Sequence, residues 1–137
     1  MLRKDFIMVQ IEELGKVIAQ IISRRKTGAT RQIPEQIQTI YRSLKLERDF
    51  LTTADTEDLF HLLESDDRGG IPRMDIAAKA LVEESYLFSG QQQRDLLLKA
   101  QSLLEYLQTH DRTFSLERMT LLDDIRRRTE ENDSTNL

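Results

Sequence analysis

"MDIAAKALVEESYLFSGQQQRDLLLKAQSLLEYL", residues 74–107, reads as two helices joined at a glycine. Met74, Ala77, Ala78, Leu81, Ser85 and Phe88 share one side of the first helix at three- and four-residue spacing, and Ile76, Ala80 and Leu87 widen that side. Pro72 suits its first turn, where a missing N–H costs no intrahelical bond, and Gly90 stops it. Leu96, Leu97, Ala100, Leu103, Leu104 and Leu107 then form the stripe of the second helix. With so short a turn the two helices fold back as an antiparallel hairpin, expected over 72–110. Glu84 falls inside the apolar arc, and a charge there must find a partner or shift its pKa. Two roles stay open for it: an internal pair with an Arg or Lys of a neighbouring helix, or a groove-facing carboxylate that meets a basic or amide group of a partner.

Toward the N-terminus, "DFIMVQIEELGKVIAQIISRR", residues 5–25, places Phe6, Ile7, Met8, Ile11, Leu14, Gly15, Val17, Ile18, Ala19, Ile21 and Ile22 on an arc of roughly 220°, with Gln10 inside it. An arc that wide predicts a central helix covered by helix two and at least one more element, from this chain or a second copy. Arg24, Arg25 and Lys26 complement the carbonyl end of its dipole, and Gly28 ends it. A second helix starting at Pro34 carries Ile37, Ile40, Tyr41 and Leu44, which completes a first hairpin over 4–46. Asp55 is the expected N-cap of a short helix over 55–65, followed by the loop "SDDRGG". Ser115 caps a last helix over 115–128, with Phe114 and Met119 at the spacing of a hydrophobic staple and Leu122 and Ile125 facing inward. Residues 131–137 read as a disordered polar tail.

The composition agrees with helices: five glycines, two prolines and no tryptophan in 137 residues. The length suits one domain, 1–130, able to bury a sizeable core without staples. No cysteine is present, so disulfides, thiolate nucleophiles and cysteine-ligated zinc are excluded and a cytoplasmic location is the default. With 20 Lys+Arg against 24 Asp+Glu, no basic face recommends nucleic acid. Asp5, Glu12 and Glu13 interrupt helix one too often for a signal peptide or a membrane span. His61 is expected to face water, one turn from Glu57 but without a third metal ligand, and His110 sits at a helix end. Asp66 and Asp67 lack the spaced oxygens of a calcium loop, and no phosphate cradle, nucleophile elbow or HExxH motif occurs. The expectation is therefore a protein that is not an enzyme, with no cofactor and no metal.

Tyr86, Gly90, Leu96, Ala100 and Leu103 resemble the tyrosine, turn glycine and small-then-large packing positions of the tetratricopeptide unit. That resemblance implies a right-handed array of hairpins with Glu84 on the groove side. The stretch "RKDFIMVQIEELGKVIAQII", residues 3–22, also resembles a family of small, uncharacterised bacterial proteins that open with (R/K)-D-(Y/F)-I-M-x-x-I-E-x-L, and "DTEDLFHLL" and "ALVEESYLFSG" continue the likeness. This second resemblance implies an all-helical, repeat-like fold and brings no catalytic residue. The resulting expectation is an all-α protein of about six helices in antiparallel hairpins, a tetratricopeptide-like array or bundle. Its expected function is to bind a protein or peptide, or a second copy of itself as a homo-oligomer, through exposed helix faces. Candidate partner-binding residues are Glu84, Leu87, Leu98, Tyr106 and Arg25. Two alternatives remain: a peripheral membrane-surface adaptor using helix one, which Asp5, Glu12 and Glu13 disfavour, and a small-ligand or enzymatic pocket near Glu84.

Overall fold

Seven α-helices and no strand make up residues 2–135, which the computed structural model describes, with side chains described for 6–131. They are α1 (Leu2–Thr27), α2 (Ile33–Ser43), α3 (Arg48–Thr53), α4 (Thr56–Glu64), α5 (Gly70–Ser85), α6 (Gly90–His110) and α7 (Leu116–Thr135). The all-α class is as expected, with one helix more than the sequence pattern shows. That helix is α3, six residues with only Leu51 buried, too short to display a period. The last helix also runs past the expected 128, to Thr135, through part of the stretch read as a tail. Residues 136 and 137, the side chains of 132–137 and that of Asp5 lie outside the described residues.

The central helix is α5, not α1. It packs against α1, α2, α4 and α6. Ala77, Ala78 and Ala80 are fully buried on different sides of it, so their small side chains let several neighbours approach one axis. Against this axis α1 buries only Leu14, Ile18 and Ile21 among its described residues. The remainder of its broad arc is half covered at Ile11, Val17 and Ile22 and left open at Phe6 and Met8, which are 71% and 63% exposed, and Val9 outside the arc is 53% exposed. The hairpins α1/α2, α5/α6 and α6/α7 are antiparallel: Gln20 and Gln10 reach Gln36 and Ser43, Gln93 reaches back to Ser85, and Arg94 and Glu105 meet Thr129 and Arg126. By contrast α1 and α5 run parallel, since Gln10 meets Arg73 and Arg25 meets Glu83.

Turn chemistry explains the boundaries. Gly28 and Gly90 adopt φ of +83° and +62°, the left-handed conformation that side chains disfavour, at the two turns where the sequence places stops. The helix expected to end at Ser89 ends at Ser85, because Gln93 Nε2 donates to the Ser85 and Phe88 carbonyls at 2.9 and 3.0 Å and holds the chain in a tight turn. Ser115 Oγ accepts the Arg118 N–H at 3.1 Å, the cap expected of it. Asp55 does occupy an N-cap position but makes no side-chain cap bond, and Phe114 and Met119 are exposed and form no buried staple. Of the mapped tetratricopeptide positions, Leu96, Ala100 and Leu103 are buried, whereas Tyr86 lies at the end of α5 and is 40% exposed.

Lys45 ends α2 at φ +57°, with Leu46 N–H donating to Tyr41 C=O at 2.9 Å and Lys45 N–H to Arg42 C=O at 3.0 Å. This is a Schellman closure with a lysine where glycine is usual. Replacing Lys45 by glycine should raise stability by about 0.5–1 kcal/mol in urea unfolding. Gly70 is constrained by space instead, since a Cβ there would stand 2.7 Å from the Phe60 ring and 3.0 Å from Glu64 Cα. Gly70→Ala should cost about 1–3 kcal/mol in the same measurement, and an unchanged midpoint would contradict the close α4/α5 approach.

Candidate functional site

The buried charges decide which surfaces remain open. Glu84 is 3% exposed. Tyr41 Oη donates to Glu84 Oε1 at 2.8 Å, and Arg48 Nη1 donates to Oε2. Of the two roles open for Glu84, the internal pair is therefore the one the structure contains. Its carboxylate points at α2 and α3, and it lines neither groove described below. Burial, reinforced by the Glu84 charge, pushes the Tyr41 phenol far above its ordinary pKa, so it stays a donor to that carboxylate.

The carboxylate directed toward α1 is the preceding one, turned by one helical step. Glu83 is buried and takes a bidentate pair from Arg25, Nε to Oε1 at 2.8 Å and Nη2 to Oε2 at 3.3 Å. Arg25 also stacks on the Tyr86 ring at 4.1 Å, and Arg128 of α7 stacks on the same ring at 3.9 Å. Tyr86 is thus held between the C-terminal end of α1 and the middle of α7. Arg25 therefore has a specific partner in addition to the α1 dipole.

A third buried cluster locks the loop between α4 and α5. Arg73 donates from Nη1 and Nη2 to the two Asp67 oxygens at 2.6 and 2.5 Å, from Nη1 to Leu63 C=O and from Nε to Gln10 Oε1, both at 3.0 Å. Gln10 in turn donates to Ser43 C=O at 3.0 Å. The hydrogen bonds from Arg73, joined by the Gly69 N–H, hold the Asp67 carboxyl at about 2, below its ordinary range. The loop aspartates read as a plain turn are in part the anchor of this cluster.

Outside these clusters lies an open groove of about 990 Å³ walled by α1 and α7 and floored by α5. Ile18, Ile22, Ile76, Val82, Leu116 and Leu121 give it an aliphatic lining, and Gly15 and Ala19 keep the α1 wall low. Most of its charged rim is paired within the chain, Lys79 with Asp75 and Glu117 at 2.8 and 2.6 Å, Arg127 with Asp124 at 2.5 Å, and Asp123 with Arg126 at 3.6 Å, while Lys26 stands exposed at the end of the α1 wall. The Arg25–Glu83 pair and Tyr86 lie at one end. A smaller groove of about 560 Å³ runs between α3 and α6, lined by Arg48, Thr52, Phe88, Leu98 and Lys99, and Lys99 Nζ donates to Ala54 C=O there.

The five sequence candidates do not converge. Arg25 borders the large groove, Leu98 the small one, Leu87 stands exposed in the α5/α6 turn, and Glu84 is internal. Tyr106 packs its ring 5.1 Å from Phe60 and stacks on His110 at 3.8 Å, so it is half-buried. The pattern missed Val82, Glu83, Tyr86, Thr120 and Leu121. Leu121 carried the available signal, an apolar residue off the Leu122/Ile125 face of its helix. Compared with known proteins, the chain matches no family model, no curated protein and no solved structure at a significant level. Among the described residues no helix is long and apolar enough to cross a membrane.

Asp67→Asn should lower stability by about 1–2 kcal/mol at neutral pH. The folded-state pKa lies below the unfolded one, so this contribution is complete above about 4 and fades as pH falls toward about 2. Urea titrations of both proteins should therefore converge at low pH; a constant difference would dissociate Asp67 from the effect.

Proposed function

We propose that the chain is a non-enzymatic protein–protein interaction module whose α1/α5/α7 groove receives one amphipathic helix. The observation that carries this reading is the combination of an aliphatic floor with a rim most of whose charges are already paired within the chain. Such a surface gains most by losing water from its apolar atoms, because a further surface ion pair contributes only about 0–1 kcal/mol against roughly 1.5–3 for burying an aliphatic side chain. The walls and floor are helices, whose backbone groups are used internally, so they offer no edge to an extended strand. An occupant must satisfy its own backbone, which favours a helix presenting residues at i, i+3, i+4 and i+7.

The competing readings receive less support. Leu14, Ile18 and Ile21 are committed to the core, which leaves α1 a reduced face for a membrane surface. Glu84 sits among filled neighbours with both oxygens taken, which removes the feature that suggested a pocket there. The parallel course of α1 and α5, the leading helices of two hairpins, is consistent with the tetratricopeptide-like array, and kinship with the small bacterial family and a cytoplasmic setting belong to the same reading.

A photo-crosslinking residue at Thr120, on the exposed α7 wall, tests this in cells. It should give an adduct of protein mass that the exposed-wall change Ala19→Arg reduces several-fold and that the same probe at Gln38, on α2, does not give. No adduct, or equal adducts at Thr120 and Gln38, would overturn the reading.

A further inference from the structure

We infer that the helix received by the groove is α1 of a second copy of this chain, paired antiparallel about a two-fold axis near Gly15; this rests on the groove being a helix-receiving surface. Met8, Ile11, Gly15, Ala19, Ile22 and Lys26 recur at three- and four-residue spacing and share one edge of α1. The C-terminal part of that edge, Gly15 through Lys26, is the groove wall. Its N-terminal part continues beyond the groove with Met8 exposed and Ile11 half-buried. One helix therefore carries both an apolar edge only partly covered, open at Met8, and the wall of an unfilled apolar groove.

Antiparallel pairing joins the two features. It sets Met8 against Ile22 of the second copy and Ile11 against its Ala19, large residues opposite the positions where the wall accepts them. At the crossing, the position a Gly15 Cβ would take has no atom within 4 Å, so two helices can approach closely there. The two-fold repeats each contact and closes the assembly at two chains. Charge selects the same direction. Glu12 and Lys16, both exposed beside this edge, come opposite residues 18 and 14 of the second copy in that register, so an antiparallel copy brings each acid near the other copy's base, whereas a parallel copy sets Glu12 beside Glu12.

Light scattering and sedimentation should give a mass twice the 16.0 kDa of one chain across micromolar concentrations. Ala19→Arg should raise the dimer dissociation constant about tenfold or more with helical circular dichroism unchanged. Because the chain has no cysteine, introduced thiols report register without background. Gly15→Cys should oxidise to a disulfide-linked dimer, and Met8→Cys mixed with Ile22→Cys should give the crossed dimer, while Gln38→Cys should give neither. A monomer throughout, a dimer indifferent to Ala19→Arg, or cross-links equal to the Gln38→Cys control would overturn the inference. A monomer whose Thr120 adduct still contains another protein would sink the second-copy assignment and leave the groove reading standing; loss of mass doubling and of adduct together would remove both.

Discussion

Two neighbouring carboxylates at the end of one helix set the conditions for the rest of the structure. Glu83 and Glu84 are both buried, and both lie in the last turn of α5, where the carbonyl end of the dipole disfavours negative charge. Consecutive helical residues point about 100° apart, so a single neighbour cannot answer both. Arg25 comes from α1 on one side; Tyr41 and Arg48 come from α2 and α3 on the other. A missing partner would leave a buried charge uncompensated, which costs several kcal/mol, so these pairs specify where three helices stand more than they add net stability.

That arrangement also explains why a groove exists. Arg25 is drawn to α5 at the C-terminal end of α1, and Tyr86, one residue past α5, lies between it and Arg128 of α7. The two walls are therefore held at that end around an aromatic ring. Further along, the α1 wall presents Gly15 and Ala19, and the floor presents Ile76 and Val82. The surface between the walls has lost most of its fixed charges to internal partners and retains its hydrocarbon.

The helices were legible because apolar residues recur with helical period over long stretches, and the glycines at 28 and 90 mark stops with a backbone conformation few residues share. The α3 helix was not, because six residues with one buried leucine carry no period, yet it delivers Arg48 to Glu84. Nor could periodicity mark Glu83 as buried alongside Glu84. A wheel puts Glu84 inside the apolar arc of α5 and Glu83 at its border beside Ile76, but it does not show that the border too is buried, and the partners of both acids come from remote segments. The misplacement of the centre has the same origin. Large aliphatics in α1 suggested a hub, but alanines make the better one, since several helices can close on a thin axis only where side chains are short.

What the structure leaves uncovered at its surface grooves is consequently apolar more than ionic. Nearly every polar feature that first invited a functional reading is engaged within the chain, with Glu84 under Tyr41, Asp67 under Arg73, Arg25 on Glu83 and Tyr86, and His110 on Tyr106. The free energy left for recognition then lies in covering the aliphatic groove and the open edge of α1, a desolvation term with little directional content of its own. Direction has to come from shape and from the sparse charges beside the groove edge of α1. A helix with Glu12 and Lys16 on either side of a glycine supplies both, which is why the groove and the continuing edge of α1 are best understood as two halves of one surface.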